Sequence, residues 1–454
     1  MSGSVSLPAS SSQSSGKRAK DRRPVSLAVV PSRPGDHPAT LQFLTTIFQG
    51  PSPAEFRASH EDPFFELRDR LLLKRAHQIL GHAQITHRAM RLGRAVVPAA
   101  GLQWLSVAPQ FRRQGFGELL LRRAEHNMAE DGHAMGILAT STPDFFHRFG
   151  WTPCGRRNRW DANVCQILSV LAAKGLYPKI RKPLDIRPLR RMEVAEIAQI
   201  YRINMDSAVG PLERPDAYWQ WLVNRAAYDE FLVAIERENG RRPSQGPAAL
   251  VGYAVLRGEH VAELLTLPDH NKAAIQLLSR ACGEAIERGI DTLSVHLPPQ
   301  HRLGRILKAA GGRCVDRRVQ PGEVLMAKVV DPVTMLERMA AEFVHRARRS
   351  KLALPLDLGL AVDRDRYQLS IADSAAETRN GSSAAAVTVT AGSIGRSYLR
   401  LSSTQLTRLL LGLVDWDNAT GIEASTKLAE QAGTALFARQ RIWRPPLDDL
   451  RADG

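Results

Sequence analysis

The sequence predicts an α/β (α+β) chain of mixed, mostly antiparallel sheets with helices packed on them, followed by a separate α+β segment. Three observations predict this. Gly101-Leu-Gln-Trp-Leu-Ser-Val107 is an apolar, strand-like run that ends in a turn and opens into the helical run Glu118 to Glu130. The same order of strand, proline (Pro109 or Pro268), helix, glycine (Gly132 or Gly289) and strand recurs in the second third of the chain, as an internal repeat does. At 454 residues the chain is too long for one ordinary domain, and about two or three are expected.

The elements follow in order. In the first segment, about Pro24 to Cys165, Ser26 to Val30 reads as a strand and Thr40 to Phe48 as an amphipathic helix. Leu72 to Arg75 and Ile79 to Thr86 read as paired strands leading into Gly101 to Val107. The helix Glu118 to Glu130 has Leu120, Leu121 and Ala124 at helical spacing and stops near Asp131-Gly132; Met135 to Thr140 is the next buried strand. In the second segment, about Leu184 to Val330, the strand Asp185 to Leu189 precedes the helix Val194 to Tyr201. Leu250 to Leu256 and Val261 to Leu267 form a strand pair, followed by the helix Asn271 to Gly289 and the strand Thr292 to Leu297. The third segment, about Asp331 to Leu450, opens with one helix, Val333 to Arg348. Strands Leu356 to Val362, Arg366 to Ile371 and Ala386 to Thr390 follow, then the helix Ser403 to Leu411, capped by Ser402 or Ser403, and a helix near Ser425 to Phe437.

Composition narrows the class. Hydrophobic residues at 44% and charged residues at 24% are those of a soluble globular protein. No apolar stretch approaches the roughly 20 residues that cross a bilayer, and the N-terminus lacks the apolar core of a secretion signal. Cys154, Cys165, Cys282 and Cys314 are scattered without a Cys-x-x-Cys pair. That argues against a metal site or a disulfide scaffold and fits a reducing, cytoplasmic location. The net charge is +16, but Lys17, Arg18, Lys20, Arg22 and Arg23 stand against Asp21 alone in a Ser-rich tail. Met1 to Arg23 is too poor in apolar residues to pack and is expected to be disordered. A second basic cluster, His345 to Lys351, ends a predicted helix. No basic platform interleaved with aromatic residues and no recognition-helix motif is visible, so nucleic acid is not an expected partner.

The chemistry concentrates in Val107-Ala-Pro-Gln-Phe-Arg-Arg-Gln-Gly-Phe-Gly117. A strand, a turn and a helix start place free backbone N–H groups and the positive end of the helix dipole at one spot, an anion cradle. Gly115 and Gly117 carry no Cβ, so a phosphate can approach the backbone, and Arg112 and Arg113 add charge beside it. The second copy has Asp269-His-Asn-Lys-Ala-Ala274 at this point, without glycine, and is read as a duplicate that no longer binds a pyrophosphate.

Arg-x-x-Gly-x-Gly after Val-x-Pro resembles the coenzyme A pyrophosphate loop of the GNAT superfamily of N-acetyltransferases. The three-part layout, from about Ser26 to Leu450, resembles the Eis (enhanced intracellular survival) type of GNAT protein. It is most specific in Val107 to Gly117 and in Ser141-Thr-Pro-Asp-Phe-Phe-His-Arg-Phe-Gly-Trp151. The resemblance implies tandem GNAT acyltransferase folds and a C-terminal sterol-carrier-like α+β domain. After the tail (1–23), the divisions are an acetyl-CoA domain (24–165), a linker (166–183), a degenerate GNAT domain (184–330) and the sterol-carrier-like domain (331–454). It further implies a homo-oligomer such as a hexamer. Acetyl-CoA would be the co-substrate, and the acceptor a primary amine on a small molecule or peptide. Leu105, Ser106 and Val107 would lie along the pantetheine arm and the acetyl group. Arg113, Gln114, Gly115, Phe116, Gly117 and Glu118 would wrap the pyrophosphate, and Ser141 and Thr142 would touch the cofactor further along.

Two positions depart from that pattern. Phe146 stands where the family has the tyrosine whose hydroxyl protonates the departing thiolate. His147 and Cys154 are candidate substitutes, with His147 expected on an exposed face and Cys154 as a packed thiol. In the family the terminal carboxylate acts as base; here the end is the polar run Arg451-Ala-Asp-Gly454, without the apolar character that anchors a buried terminus. Asp448, Asp449 or the Gly454 carboxylate could serve, or the end could be a frayed tail. The leading expectation is direct acetyl transfer to an amine through a ternary complex, with no acyl-enzyme, since no nucleophile paired with histidine is visible. The alternatives are an acyl-CoA-binding or regulatory protein without turnover, and a lipid carrier through the third segment.

Overall fold

The computed structural model describes residues 27–48, 50–154, 157–178, 183–236, 249–298, 301–317, 324–372 and 387–449. The basic tail and Gly454 lie outside the described residues. The chain divides into two compact units. One holds the described residues up to His87 together with Ala100–Asp131; the other holds Arg88–Ala99 and the described residues from Gly132 onward.

In the first unit, β1 (Leu27–Pro31) pairs antiparallel with β2 (Arg70–Arg75), and β2 with the start of β3 (Gln78–Leu92), a strand whose residues from Arg88 on belong to the second unit. β4 (Ala95–Val107) lies beside β3. Leu71, Leu72 and Leu73 are all buried, so β2 is covered on both faces and reads as a continuous apolar run. Helix α1 (His37–Phe48) and helix α2 (Pro53–His60) connect β1 to β2. The sequence reading left α2 out. Its eight residues are too short to show a clear period, and its signal is the Ser52 cap, whose side chain accepts from the Glu55 amide, followed by Pro53. Helix α3 (Phe116–Glu130) buries Leu120, Leu121, Ala124 and Met128. It meets β3 and β4 at Gly81, where an added Cβ would stand 2.7 Å from Leu120 Cδ1 and 2.9 Å from the Ser106 carbonyl oxygen. Only a residue without a side chain lets these three elements close.

In the second unit, Met135–Thr140 pairs antiparallel with Val324–Val329, which also pairs with Thr152–Pro153. Val209–Leu212 pairs with the end of β3. A seven-stranded sheet follows, in the order Arg313–Arg317, Arg157–Asn163, Thr292–His296, His260–Thr266, Ala249–Arg257, Glu230–Glu236, Asp185–Pro188. Two strands are thus exchanged: Arg157–Asn163 serves the second repeat's sheet, and Val324–Val329 returns to pair with a strand of the first repeat. The helices Val164–Ala173 and Asn271–Glu287 contribute Ile167, Leu171, Leu277, Leu278 and Cys282 to the second sheet's core. His260–Thr266 and Thr292–His296 run parallel and pair at only two positions, His260 with Ser294 and Val261 with Val295.

The third sheet holds Val387–Ala391, Asp365–Ile371, Leu356–Val362, Tyr398–Leu401 and Glu423–Ala424, with Leu356–Val362 parallel to Tyr398–Leu401. The single helix expected from Val333 to Arg348 is two, Pro332–Arg338 and Ala340–Arg349. They break at Met339, whose carbonyl accepts from both Glu342 and Phe343 and so tightens one turn to 3₁₀ spacing. The break carries Glu342 to the turn between β3 and β4, where its Oε2 accepts from the Arg94 amide at 2.9 Å. Its other oxygen accepts from Arg346 Nε at 2.7 Å, and Arg346 in turn donates to the Leu436 carbonyl. Ser402 is the cap of the helix Ser403–Leu410, in a capping box with Gln405.

Gly81→Ala should destabilise the protein by about 1–3 kcal/mol, the usual cost of overpacking against groups that cannot retreat. The measurement is the denaturant midpoint; an unchanged midpoint would show that β3, β4 and α3 can separate without loss.

Candidate functional site

The turn expected to cradle an anion joins β4 to α3. After β4 the chain makes a single 3₁₀ turn, Pro109–Phe111, and then passes through two left-handed residues, Arg113 at φ +62° and Gly115 at φ +82°. Gly115 is the N-cap of α3 and no side chain caps the helix. The amides of its first turn therefore have neither an intrahelical acceptor nor a capping oxygen. No atom lies within 4 Å of where a Gly115 Cβ would be, so the approach to these amides is open. Arg113, Gln114 and Gly115 are exposed; Phe116, Gly117 and Glu118 are half-buried. Arg112 Nε donates to the Val107 carbonyl at 3.1 Å and ties the turn back to the strand. Glu118, an acidic residue at the cradle's edge, is occupied by Arg122 Nε at 2.7 Å one helical turn on.

The segment feeding the cradle is shaped by a residue that sequence reading missed. Trp104 has φ +50° in the middle of β4, a conformation uncommon for a bulky side chain. Its carbonyl accepts twice, from His82 Nδ1–H at 3.1 Å and from Ser106 Oγ at 3.1 Å. The distortion falls immediately before Leu105, Ser106 and Val107. Ser106 is buried, and Leu105 and Val107 are half-buried. Ala108 N–H donates to the Leu80 carbonyl at 2.8 Å and fixes where the strand ends. His82 is fully buried, and burial pulls its imidazole down to about 3, with the nearby Arg70 charge adding to the effect. As a neutral ring it donates from Nδ1, the only tautomer a carbonyl partner allows.

The other sequence candidates lie in the second unit. Ser141 and Thr142 are exposed, with Thr142 N–H bonded to Thr140 Oγ1 at 3.0 Å. Phe146 is buried on the short helix Pro143–His147, edge-to-face with Phe145 at 4.9 Å and Trp151 at 6.1 Å. His147 is exposed. Cys154 is buried, and burial pushes its thiol up to about 12. Asp448 has a different occupation from that of a base. It is fully buried and accepts from Arg214 Nε and Nη2 at 3.0 Å each, while Arg214 also makes a bidentate pair with Glu263 at 2.8 and 2.9 Å. The guanidinium also lies against Tyr201 and Trp219, 4.0 and 4.7 Å from their ring centres, the two rings meeting edge-to-face beside it. Asp449 is bound by Arg444.

At the start of the second repeat's helix the chain offers the opposite of a cradle. Asp269 takes the left-handed conformation, at φ +66°, and His270 Nε2 lies 3.3 Å from Glu236 Oε2. Two carboxylates at the helix start repel an anion, in keeping with the loss of the glycines.

Residues 29–154 match the family described as an acetyltransferase (GNAT) domain. No curated protein matches the chain's sequence. Among solved structures, a GCN5-related N-acetyltransferase from Anabaena variabilis is similar at TM-score 0.66 and 18% identity, over 92% of this chain and 99% of that one. A GCN5-related N-acetyltransferase from Kribbella flavida is similar at TM-score 0.66 and 16% identity, over 92% and 97%. Eis1 from Mycobacterium abscessus is similar at TM-score 0.57 and 16% identity, over 91% and 98%. Residues 29–154 therefore carry an acetyltransferase (GNAT) domain within a chain of mixed α/β fold, and acyl transfer is the class of reaction that such a domain supports.

Two predictions follow from this geometry. Removing one partner of the fully buried Arg214 cluster, as in Asp448→Ala, should cost about 3–5 kcal/mol in unfolding free energy, because an uncompensated buried charge is left behind. The Asp448→Asn variant, which retains an acceptor, should lose less. The second concerns pH. A histidine held neutral at about 3 resists a proton that the unfolded chain takes up near 6.5. Stability is then fully present above about 6.5 and is lost as pH falls toward the folded value. The melting temperature should drop between pH 7 and pH 4, and His82→Asn, which can still donate to the Trp104 carbonyl, should drop less. Parallel curves for the two proteins would remove His82 as the source.

Proposed function

We propose that the protein is an acetyl-CoA-dependent N-acetyltransferase that moves an acetyl group directly to a primary amine. The observation that carries this reading is the uncapped, glycine-opened start of α3, placed at the end of a distorted strand within the residues matched to the acetyltransferase domain. Acetyl-CoA supplies the activated acyl thioester. The amides of Arg113, Gln114, Gly115, Phe116, Gly117 and Glu118 suit a pyrophosphate, because they lie at the positive end of a 15-residue helix that no side chain caps. Leu105, Ser106 and Val107 present strand backbone to the pantetheine arm, and the Val107 N–H would polarise the thioester carbonyl. Ser141 and Thr142 are assigned to the cofactor by family resemblance alone.

The amine gives up a proton, the C–N bond forms and the C–S bond breaks. Phe146 has no proton to give to the leaving sulfur. A general acid contributes about 10²–10⁴ in rate, but a thiol with an ordinary pKa near 8.5 departs as thiolate tolerably well. Of the acidic groups near the C-terminus, Asp448 is committed to Arg214 and Asp449 to Arg444, and this reading takes the Gly454 carboxylate as the base. The domain divisions given above, a sterol-carrier-like third domain, a homo-oligomer such as a hexamer and a cytoplasmic location complete it. A second reading, an acyl-CoA-binding protein without turnover, is favoured by Phe146.

Coenzyme A release from acetyl-CoA against a panel of amines tests both. Acceptor-dependent release in the wild type is expected, with Gly115→Glu lowering activity at least about a hundredfold by filling the cradle with a like charge. Gly115→Ala, which adds the backbone strain without the carboxylate, should fall between them. Acetyl-CoA binding without release for any amine would establish the second reading. Absence of binding would overturn both.

A further inference from the structure

Arg70 opens β2 and is completely buried. Its Nη2 donates to Gln84 Oε1 at 2.7 Å and to Ser59 Oγ at 3.2 Å, and its Nη1 donates to His60 Nε2 at 2.7 Å. Every one of these acceptors is neutral. The guanidinium also faces the rings of Phe56 and Phe65, 4.5 and 5.3 Å from their centres. Among the described residues no carboxylate pairs with it, and its Nε–H is buried without an acceptor. Burial alone, with no opposing charge, pulls the group down to about 10, still charged at neutral pH. Three histidines beside it are held below their ordinary range, first by burial and then by its charge: His37, His60 at about 4 and His82 at about 3. His37 Nε2 and His82 Nε2 are likewise buried without partners. The cluster is a cationic centre with orphaned polar atoms and no anion.

A buried guanidinium is retained at a cost unless a negative group meets it. The arrangement around Arg70 shows where such a group would enter. Arg70 is inaccessible, whereas His60 is only half-buried at the end of α2. His60 covers Nη1 with a neutral nitrogen, its Nδ1–H tethered to the Phe56 carbonyl at 2.7 Å. An incoming oxyanion would replace that nitrogen as acceptor, a charge-assisted bond in place of a neutral one. The centre is also joined to the strand discussed above, because His82 in the Arg70 field bonds the Trp104 carbonyl, one residue before Leu105.

We propose that Arg70, uncovered by movement of His60, binds a carboxylate, and that this carboxylate belongs to the acceptor amine. This rests on the transferase reading for the source of the anion but not for the site itself. The acceptor class is then an amine that also carries a carboxylate, with its anionic end on Arg70.

The test uses the full-length protein with two kinds of probe. Formate, titrated at constant ionic strength and followed by calorimetry and melting temperature, reads the anion site without turnover. β-Alanine and 4-aminobutyrate, each compared with its own amide, read the acceptor. Formate should bind saturably to the wild type and not to Arg70→Met. His60→Ala, which frees Nη1, should bind formate more tightly. Each amino acid should exceed its amide in kcat/KM by about tenfold or more, the scale of one charge-assisted hydrogen bond, and Arg70→Met should lose that preference. Should Arg70→Met fail to fold, the His60→Ala comparison decides: unchanged or weaker formate binding overturns the site. Saturable formate binding without preference among the amines keeps the carboxylate site but assigns it to a free small carboxylate and overturns the acceptor assignment. No formate binding and no preference, or the same behaviour in wild type and Arg70→Met, overturns the proposal outright. Formate binding with no coenzyme A release from any amine overturns the transferase reading alone. Release from amines with no anion effect does the reverse.

Discussion

The Trp104 carbonyl is the point on which the first unit turns. A tryptophan held at φ +50° inside a strand costs on the order of 1–3 kcal/mol and persists only where its surroundings over-determine it. Here two donors do so, the imidazole of His82 from the neighbouring strand and the hydroxyl of Ser106 two residues on. The consequences run forward along the chain. A kink at this position redirects Leu105 to Val107, as a bulge redirects a strand. Gly81 lets the Ser106 carbonyl and Leu120 of α3 close over β3. The 3₁₀ turn and the left-handed Arg113 and Gly115 then swing the chain into the helix whose amides form the cradle. The same imidazole that fixes the kink belongs to the field of Arg70, so the strand bearing the proposed thioester contact and the buried cation share one anchor.

Arg70 and Arg214 both bury their guanidinium groups completely, and the surroundings of the two differ. Arg214 has two carboxylates, a bidentate pair to one and two further bonds to the other, with two aromatic rings beside it. That is what a guanidinium requires when its role is to hold elements together, here a strand of the second sheet and the short turn Pro446–Asp449. Arg70 has aromatic faces too, but a glutamine, a serine and a histidine in place of carboxylates. Stability alone does not account for the contrast, because a charge left without an opposite is the costly case. A group that stays charged and uncompensated in a dry setting is poised to bind an anion.

Much of the fold was legible because it follows local rules. Met135–Thr140 and Leu356–Val362 fall where the period and the apolar run put them, and Ser402 caps its helix through the box expected of Ser-x-x-Gln. The strand–turn–helix junction at Val107 to Gly117 was legible because its proline and glycines mark the end of a strand and the start of a helix. What the sequence hid has physical reasons. Pro53–His60 and Asp216–Asn224 are short, and the second packs Tyr218, Trp219, Trp221 and Leu222 inward with too little length to display a period. The exchange of Arg157–Asn163 and Val324–Val329 between sheets leaves no local trace, since a strand's pattern records burial and not its neighbours. Trp104 carries no residue-type signal of its left-handed conformation. Arg70 reads as a polar residue before a leucine run, and only tertiary packing shows that it is inside.

The substitution at Phe146 is easier to weigh once its setting is known. The ring is buried and edge-to-face with Phe145 and Trp151, an arrangement that uses the whole aromatic surface. A tyrosine there would add a hydroxyl to a buried ring, which costs free energy unless it finds a partner. Phenylalanine is therefore the residue this packing favours, and the missing acid belongs to a locally consistent structure. For the proposed transfer, what remains is a helix start whose amides need no proton transfer, and a thiolate stable enough to leave without one. Such a site depends more on holding its two substrates in place than on acid catalysis, because orientation can supply about 7–11 kcal/mol of a barrier and a general acid only about 3–5. A cationic anchor for the acceptor is the kind of device that such a division of labour calls for.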